Sequence, residues 1–507
     1  MPHNLFSLIQ LQFLNQSDRI LLSVPGGRSL TGSELDAETA CMAAVLIDAG
    51  VEPGDRVSAQ VEKGWMNVLL YLAVLRIGGV YLPLNSAYTE SEVEYFLTDA
   101  EPRVHVCPQV RREHAESLVQ SANEQLKVMT LDGDLGFLRD VFDDFKLSGR
   151  AVEEVVSREA ADLASIIYTS GTTGKPKGAM ISHSNLIANA EMLTEAWAYS
   201  KADTLLHALP LFHVHGLFVG LNLALVNGGP IILLPKFDPT LVLEVMPDTT
   251  VMMGVPTYYT RLLSDDRFNR VTSSQMRLYI SGSAPLLVET SDSFLERTGH
   301  RILERYGMTE TGMSCSNPLV GERRAGSVGP HLPGVSVRVM GDDGYSVAGG
   351  EIGSLEVKGP HVFSGYWKLP EKTASEFKGE WFITGDLAIL SEDGYISIVG
   401  RDKDLIISGG LNIYPKEIED VLNDQPDVLE SAVFGVSHPD FGEGIVAILV
   451  GKKALDMVVL EAACREKLAG FKVPKRWLQH DALPRNTMGK VQKNLLRDNY
   501  KDSFTAK

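Results

Sequence analysis

The sequence predicts an α/β protein: a large N-terminal domain of parallel-sheet α/β subdomains with a β-rich part, followed by a small C-terminal α/β domain. Three observations predict it. Strand-length apolar runs alternate with helix-spaced segments over the first three hundred residues, the pattern of parallel sheets covered by helices. From about residue 325 the texture becomes short strands separated by Gly and Asp turns, as in a more antiparallel region. Near residue 400 it changes again, to a charged turn, a strand, a Gly-Gly loop and a helix. The expected domains are therefore 1–400, with the β-rich part at about 325–400, and 401–507. A chain of 507 residues with 44% hydrophobic content is long enough for two or more cores.

In order, residues 34–50, "ELDAETACMAAVLIDAG", have helical spacing and stop at Gly50. "DRVSAQVE" reads as a strand, 65–77 as a helix, and "GGVYLPLN" as a turn into a buried strand. Residues 142–162 are charged and weakly patterned and read as a surface connector. Strands resume at 204–211, 230–235, 250–253, 277–281 and 301–304. "GVSVRVM", "GSLEVKG", "WFITGD" and "GYISIVG" supply the β-rich part. There are no internal repeats and no low-complexity segment.

Lys plus Arg number 47 and Asp plus Glu 65, a net charge of −18. Such acidity argues against general nucleic-acid or anionic-membrane binding, and any anionic ligand must meet a locally positive site. Cys41, Cys107, Cys315 and Cys464 are far apart, so free thiols in a reducing compartment are expected rather than a disulfide frame or zinc site. The N-terminus lacks signal-peptide features, and no apolar run approaches the roughly 20 residues that span a bilayer. A cytoplasmic protein is the expectation.

The most informative segment is 165–180, "SIIYTSGTTGKPKGAM". An apolar strand runs into Ser170, Gly171, Thr172, Thr173 and Gly174, with Lys175 and Lys177 behind. Glycines let backbone N–H groups approach an anion, hydroxyls add donors and lysines add charge, a composition suited to polyphosphate. It is not a Walker A loop, because Pro176 follows Lys175 where Ser or Thr belongs.

"YTSGTTGKPKGAM", "YGMTET" at 306–311, "TGD" at 384–386, "GRDKDLIISGGLNIYPKEIE" at 400–419 and "PRNTMGKVQK" at 484–493 together resemble the adenylate-forming (AMP-binding, acyl-CoA synthetase) superfamily, motif by motif and in its order. The resemblance covers nearly the whole chain. It implies ATP, Mg²⁺ and coenzyme A as cofactors. A carboxylate attacks the α-phosphate of ATP to give an acyl-adenylate and pyrophosphate, and the CoA thiol then displaces AMP.

Residue by residue, the resemblance places Thr169, Ser170, Gly171, Thr172, Thr173, Gly174 and Lys177 at the phosphates. Ser283, Ala284 and Pro285 line adenine, and Tyr306 stacks on it beside Gly307 and Met308. Asp386 accepts from the ribose hydroxyls and Arg401 is a second nucleotide contact. Thr309 and Glu310 serve catalysis, with Glu310 the Mg²⁺ contact, since Mg²⁺ is usually held by one or two carboxylates plus substrate oxygens. Residues 471–497 hold seven basic residues against the single acid Asp481, a local reversal in an acidic chain; most read as a solvated face. Lys490 is the exception, matching the family's catalytic lysine, and is a candidate for lysine acylation. Lys403 matches the hinge about which the mobile C-terminal domain rotates, and Ser408, Gly409 and Gly410 the loop presented to CoA.

For the acid, "LLHALPLFHVHGLFVG" (205–220), "MGVPTYYTRLL" (253–263) and "RLYISGSAPL" (277–286) are expected to line the pocket. His207, His213 and His215 cluster there without zinc-site spacing. A small dicarboxylate would want Arg or His for its second charge, making His207, His213 and Arg277 substrate candidates. The fuller motif matches look most like malonyl-CoA synthetases, with methylmalonate a tolerated relative. An acyl-CoA synthetase for oxalate or a short monocarboxylic acid, and an adenylation enzyme serving a carrier protein, remain alternatives. A non-catalytic nucleotide-binding protein and a luciferase-like oxygenase are disfavoured.

Overall fold

The computed structural model describes residues 3–122, 126–132, 136–169, 176–408 and 411–504, with backbone alone at 119–122. By its contacts the chain falls into two compact units, Met1–Ser336 with Lys358–Glu380, and Val337–Val357 with Trp381–Lys507. The β-rich segment, expected with the large domain, thus groups mostly with residues beyond 400.

The first unit holds two large sheets, each with a parallel centre and an antiparallel margin. One has the strand order Gly312–Ser316, Leu303–Met308, Leu278–Ser281, Val251–Gly254, Leu205–His207, Ile231–Leu233, Ile20–Ser23, Ser29–Thr31. Its six inner strands are mutually parallel, so their carboxyl ends share one edge. The other runs Gly365–Tyr366, Lys177–Ser182, Leu163–Thr169, Val80–Pro83, Arg56–Ala59, Val104–Cys107, Lys127–Thr130.

The helices follow from sequence. Helix Gly32–Asp48 begins in a Thr31/Glu34 capping box, the reciprocal bonding that S/T-x-x-E encodes. It packs on Trp65–Arg76, in which every residue is buried. A helix apolar all round belongs inside a core; its one cation, Arg76, reaches Asp36 at 2.8 Å. The expected connector at 142–162 is helical at its start instead, within Phe137–Leu147. Leu138, Phe142 and Phe145 are its buried stripe, a helical spacing that the intervening charges obscured.

In the second unit, Ser336–Met340, Ile352–Lys358, Trp381–Leu390 and Ile396–Arg401 belong to one sheet. A further sheet of Leu411–Ile413, Ile406–Ser408, Gly442–Gly451, Val428–His438 and Arg476–His480 is covered by helices Pro415–Asn423 and Met457–Lys467 around a core that includes Ile418, Val433, Ile445 and Leu460. Among the described residues, no helix is long and apolar enough to cross a membrane.

Candidate active site

In sheets of this kind, ligands are bound at the carboxyl ends of parallel strands. Along that edge of the first unit's eight-stranded sheet stand His207, Gly254, Ser281 and the strand of Tyr306, Gly307 and Met308. His207 is fully engaged. Its Nε2 lies 2.8 Å from the Gly216 carbonyl, which can only accept, so Nε2 carries the proton. Nδ1 therefore accepts from Lys63 Nζ at 2.8 Å, and Lys63 also donates to the His207 carbonyl at 2.8 Å. Burial, then the Lys63 charge, holds the imidazole well below its ordinary range, and burial does the same to the Lys63 amine. Lys63 was not foreseen, since it falls between the strand read in "DRVSAQVE" and the helix read at 65–77; it lies beyond strand Arg56–Ala59 of the other sheet and ties the two edges together.

After His207 the chain enters a π-helix, His215–Asn222, a form rare except near functional sites. His215 is buried, with Nδ1 3.2 Å from Ser283 Oγ and Nε2 without a partner in the described structure. His213 sits half-buried beside it and accepts from the His215 N–H at 3.4 Å. Ser283, in the loop Ser283–Ala284–Pro285, has φ +69°, a left-handed conformation that a non-glycine residue adopts at a cost and that clusters at binding sites.

The second unforeseen residue is Arg305. It is 4% exposed, and its Nε and Nη2 have no partner in the described structure. Burial pushes it down to about 9, and its one countering influence is the Tyr259 phenol. Its charge in turn is felt by His215. Arg305 lies over Gly282, where a Cβ would stand 2.3 Å from the guanidinium carbon.

Arg277 is not brought to this cluster. It precedes strand Leu278–Ser281, at the opposite edge, about 13 Å of extended chain from Ser281. Its guanidinium chelates Asp203, through Nε at 2.5 Å and Nη2 at 2.8 Å, and donates to the Trp197 and Ala198 carbonyls at 3.1 and 3.3 Å. There it borders a cavity of about 840 Å³ lined also by His300, Arg301, Arg323 and Arg324.

The hairpin Leu303–Met308/Gly312–Ser316 has an irregular register between Tyr306 and Gly307, and its turn carries Thr309 and Glu310. Glu310 is buried and accepts from Tyr366 Oη at 3.0 Å. A single carboxylate suits Mg²⁺ arriving with a nucleotide, not a resident cage. No group of three or more His, Cys, Asp or Glu that could hold a metal occurs among the described residues. Thr169 and Lys177 face each other in antiparallel register at the base of the Gly/Thr loop. Ser170, Gly171, Thr172, Thr173 and Gly174 lie outside the described residues, as do Gly409 and Gly410.

In the second unit, Asp386 and Arg401 are register partners on adjacent strands, bonded at 2.6 Å. Lys403 is exposed beside Asp404, which pairs with Arg497 at 2.8 Å. Lys490 stands on a tight turn pinned by Asn486, whose Oδ1 accepts from the Met488 and Lys490 N–H groups at 3.0 and 2.9 Å. Gly489, at φ +74°, makes that turn feasible. The Lys490 residue is exposed, but its amine is crowded; burial first, then the Arg401 charge, pushes it down to about 8. Four of the other basic residues of 471–497 pair within this unit, Lys472 with Glu417, Arg485 with Glu430, Lys493 with Glu419 and Arg497 with Asp404. Ser408 donates to the Glu443 carbonyl at 2.7 Å.

Residues 10–367 match the family model of AMP-binding enzymes, and 417–490 that of the AMP-binding enzyme C-terminal domain. A mitochondrial malonate–CoA ligase of Mus musculus is 36% identical over 95% of this chain and 89% of that enzyme. A long-chain-fatty-acid–CoA ligase of Bacillus subtilis is 32% identical over 93% and 90%. The crystal structure of ATP-bound MatB from Rhodopseudomonas palustris superimposes with a TM-score of 0.94, at 48% identity over 100% of both chains.

Proposed function

The chain belongs to the AMP-binding enzymes and is an AMP-forming acid–CoA ligase using ATP, Mg²⁺ and CoA, and from that premise we propose that its acid is malonate, with methylmalonate tolerated. The observation that carries this reading is the buried, unpaired guanidinium of Arg305. An isolated buried charge is costly unless paired. A long fatty chain would leave Arg305 uncompensated, and so would acetate or butyrate. A dicarboxylate supplies the missing counter-charge with its second carboxylate while the first reacts, and Arg binds carboxylates through its rigid fork. Lys63–His207 and His215, with His213, give that end of the site a neutral-to-positive lining.

The remaining assignments follow the chemistry. Attack of one anion on another requires positive charge and fixed geometry at the α-phosphate. Lys490 supplies the charge that bridges the attacking carboxylate and the α-phosphate. Thr309 and Glu310 face the phosphates, and Mg²⁺ held there neutralises charge. Lys177 and Thr169 close the phosphate hairpin, Asp386 with Arg401 holds the ribose, and Tyr306 with Ser283–Pro285 receives adenine. Lys403 serves as the pivot that exchanges Lys490 for the loop beginning at Ser408 before the thiol step. The four buried, unbridged cysteines support a reducing, cytoplasmic setting.

The test is to offer the purified enzyme ATP, Mg²⁺, CoA and one acid at a time from malonate, methylmalonate, oxalate, succinate, acetate, butyrate and benzoate, following AMP and acyl-CoA mass. Malonyl-CoA is the expected dominant product. Preference for a monocarboxylate would overturn the acid while leaving the ligase. AMP release without thioester would indicate another acceptor, such as a carrier protein.

A further inference from the structure

Four arginines meet at the edge of the eight-stranded sheet opposite the candidate active site. Arg277 and Arg301 stand just before the adjacent parallel strands Leu278–Ser281 and Leu303–Met308, and Arg323 and Arg324 lie in the segment that follows Gly312–Ser316. Together with His300 and Glu322 they line the cavity of about 840 Å³. In a chain of net charge −18 this is a local reversal of sign.

Three of the four have carboxylate partners. Arg277 chelates Asp203, Arg301 Nη1 lies 3.2 Å from Asp292, and Arg324 Nε lies 3.0 Å from Glu322, the acid on the cavity lining. Arg323 differs. It is half-buried, and its Nε, Nη1 and Nη2 donate to the carbonyls of Pro318, Arg301 and Leu319 at 3.2, 2.7 and 3.0 Å. These bonds fix the guanidinium but bring no negative charge, and it has no carboxylate partner among the described residues. Its fork still has N–H donors to spare after them. Burial, then the charge of Arg277, lowers Arg323 below the ordinary arginine range. Burial also lowers His300, and the Arg323 charge lowers it further. Arg277 and Arg323 therefore repel one another, a cost that an anion between them would recover.

We propose that this cavity is a second anion site, separate from the active site, that takes a small phosphate-bearing molecule. Arginine forks match phosphate oxygens, and a tetrahedral phosphate can meet guanidinium groups that approach from separate chain segments, which a planar carboxylate does less well. The cavity is larger than a single phosphate group and leaves room for a second phosphate or the body of an ester. Strands Leu278–Ser281 and Leu303–Met308 lead away from it, and the active-site cluster stands at their far ends, so one occupant cannot fill both sites.

The experiment is calorimetric titration of inorganic pyrophosphate into the wild type, Arg323→Gln, Arg301→Gln and Lys177→Gln, without Mg²⁺, acid or CoA so that no turnover occurs. The wild type is expected to show two pyrophosphate sites. Arg323→Gln and Arg301→Gln should each weaken one of them about tenfold, the scale of a hydrogen bond to a charged group, and leave the other unchanged. Lys177→Gln, at the phosphate hairpin, should weaken only the other. Arg301→Gln decides the matter if Arg323→Gln loosens its segment, because it removes a charge and leaves the three carbonyl bonds of Arg323 in place. Inorganic phosphate and ribose 5-phosphate then separate the sources: either one binding the arginine-dependent site supports the proposal, and the tighter of the two says whether free or esterified phosphate is the occupant. A single pyrophosphate site that Lys177→Gln weakens and neither arginine variant alters would overturn the proposal. Malonate binding the arginine-dependent site as tightly as pyrophosphate would overturn its assignment to phosphate.

Discussion

The guanidinium of Arg305 occupies the space that a side chain on residue 282 would fill; a Cβ on Gly282 would lie 2.3 Å from its central carbon. The chain thus makes room, by leaving out a side chain, for a buried cation that the described structure leaves uncompensated. Arg305→Met keeps the length and removes the charge. It is expected to hold or raise the melting temperature, because an apolar replacement of a buried charge is neutral or stabilising. Malonate kcat/KM should fall roughly 10²–10³-fold, the scale of removing one partner from a buried charge pair. Butyrate should hold or gain. A parallel loss with both acids, measured by acyl-CoA formation, would reject a role for Arg305 in choosing the acid.

Arg277 invites the opposite outcome. Its partner Asp203 has a side chain only 5% exposed, and Arg277→Leu would strand that carboxylate. The expected result is a loss of about 2–4 kcal/mol in urea unfolding, with malonate KM changed by no more than about twofold. The pH sign is fixed. Burial works against the Asp203 charge, but the Arg277 bonds win and hold its carboxyl below 3.8. The pair therefore stabilises the protein above that value and less as pH falls through the lowered one. The variant's deficit should shrink toward about pH 4, where the stranded carboxyl can protonate. A raised KM with unchanged stability would return Arg277 to the acid site.

Local signals made the architecture readable. Strand and helix spacing marked the parallel sheets, and spacing with Gly50 placed a helix over 34–50, where the structure has Gly32–Asp48. The motifs named Lys490, Glu310 and Asp386 because each sits in a short, ordered pattern. What stayed hidden was non-local. Arg305 is buried where Gly282, one residue past the neighbouring strand, leaves space, and nothing in "ERYGMTE" reports that. Arg277 looked like a pocket residue because a strand's sequence does not say which end faces the ligand. Lys63 meets His207 across 144 residues, and Tyr366 meets Glu310 across 56.

Lys490→Gln separates the half-reactions. It removes the charge while keeping a polar side chain of similar length, and so imitates acylation. Malonate-dependent pyrophosphate formation is expected to fall by about 10²–10³, as for loss of one preorganised electrostatic contact. Thioester formation from supplied malonyl-adenylate should stay within about threefold, since the second step does not use the amine. Chemical or enzymatic acylation of the wild type at Lys490 should give the same split. Normal pyrophosphate formation by the variant would remove Lys490 from the mechanism.

The Lys490 amine also sets a pH dependence that can be separated from stability. Burial first, then the charge of Arg401, lowers it from 10.5 to about 8. Adenylation needs the ammonium, so its rate should be full well below about 8 and decline as pH rises through it. The thiol step should move the other way, because a free thiol near 8.5 ionises over the same range. The stability sign differs from that of the rate. The fold disfavours the charged form, so that penalty is complete below about 8 and is relieved as pH rises from there toward 10.5. Lys490 therefore gives no reason for the protein to melt earlier across the window in which adenylation declines, and a melting curve at each pH separates the two effects. Lys490→Arg, whose guanidinium stays charged, should lose the alkaline decline even if its maximum is lower. The measurement is the initial rate of pyrophosphate release between about pH 7 and 9.5. A flat wild-type profile, or an alkaline decline retained in Lys490→Arg, would show that another group governs it.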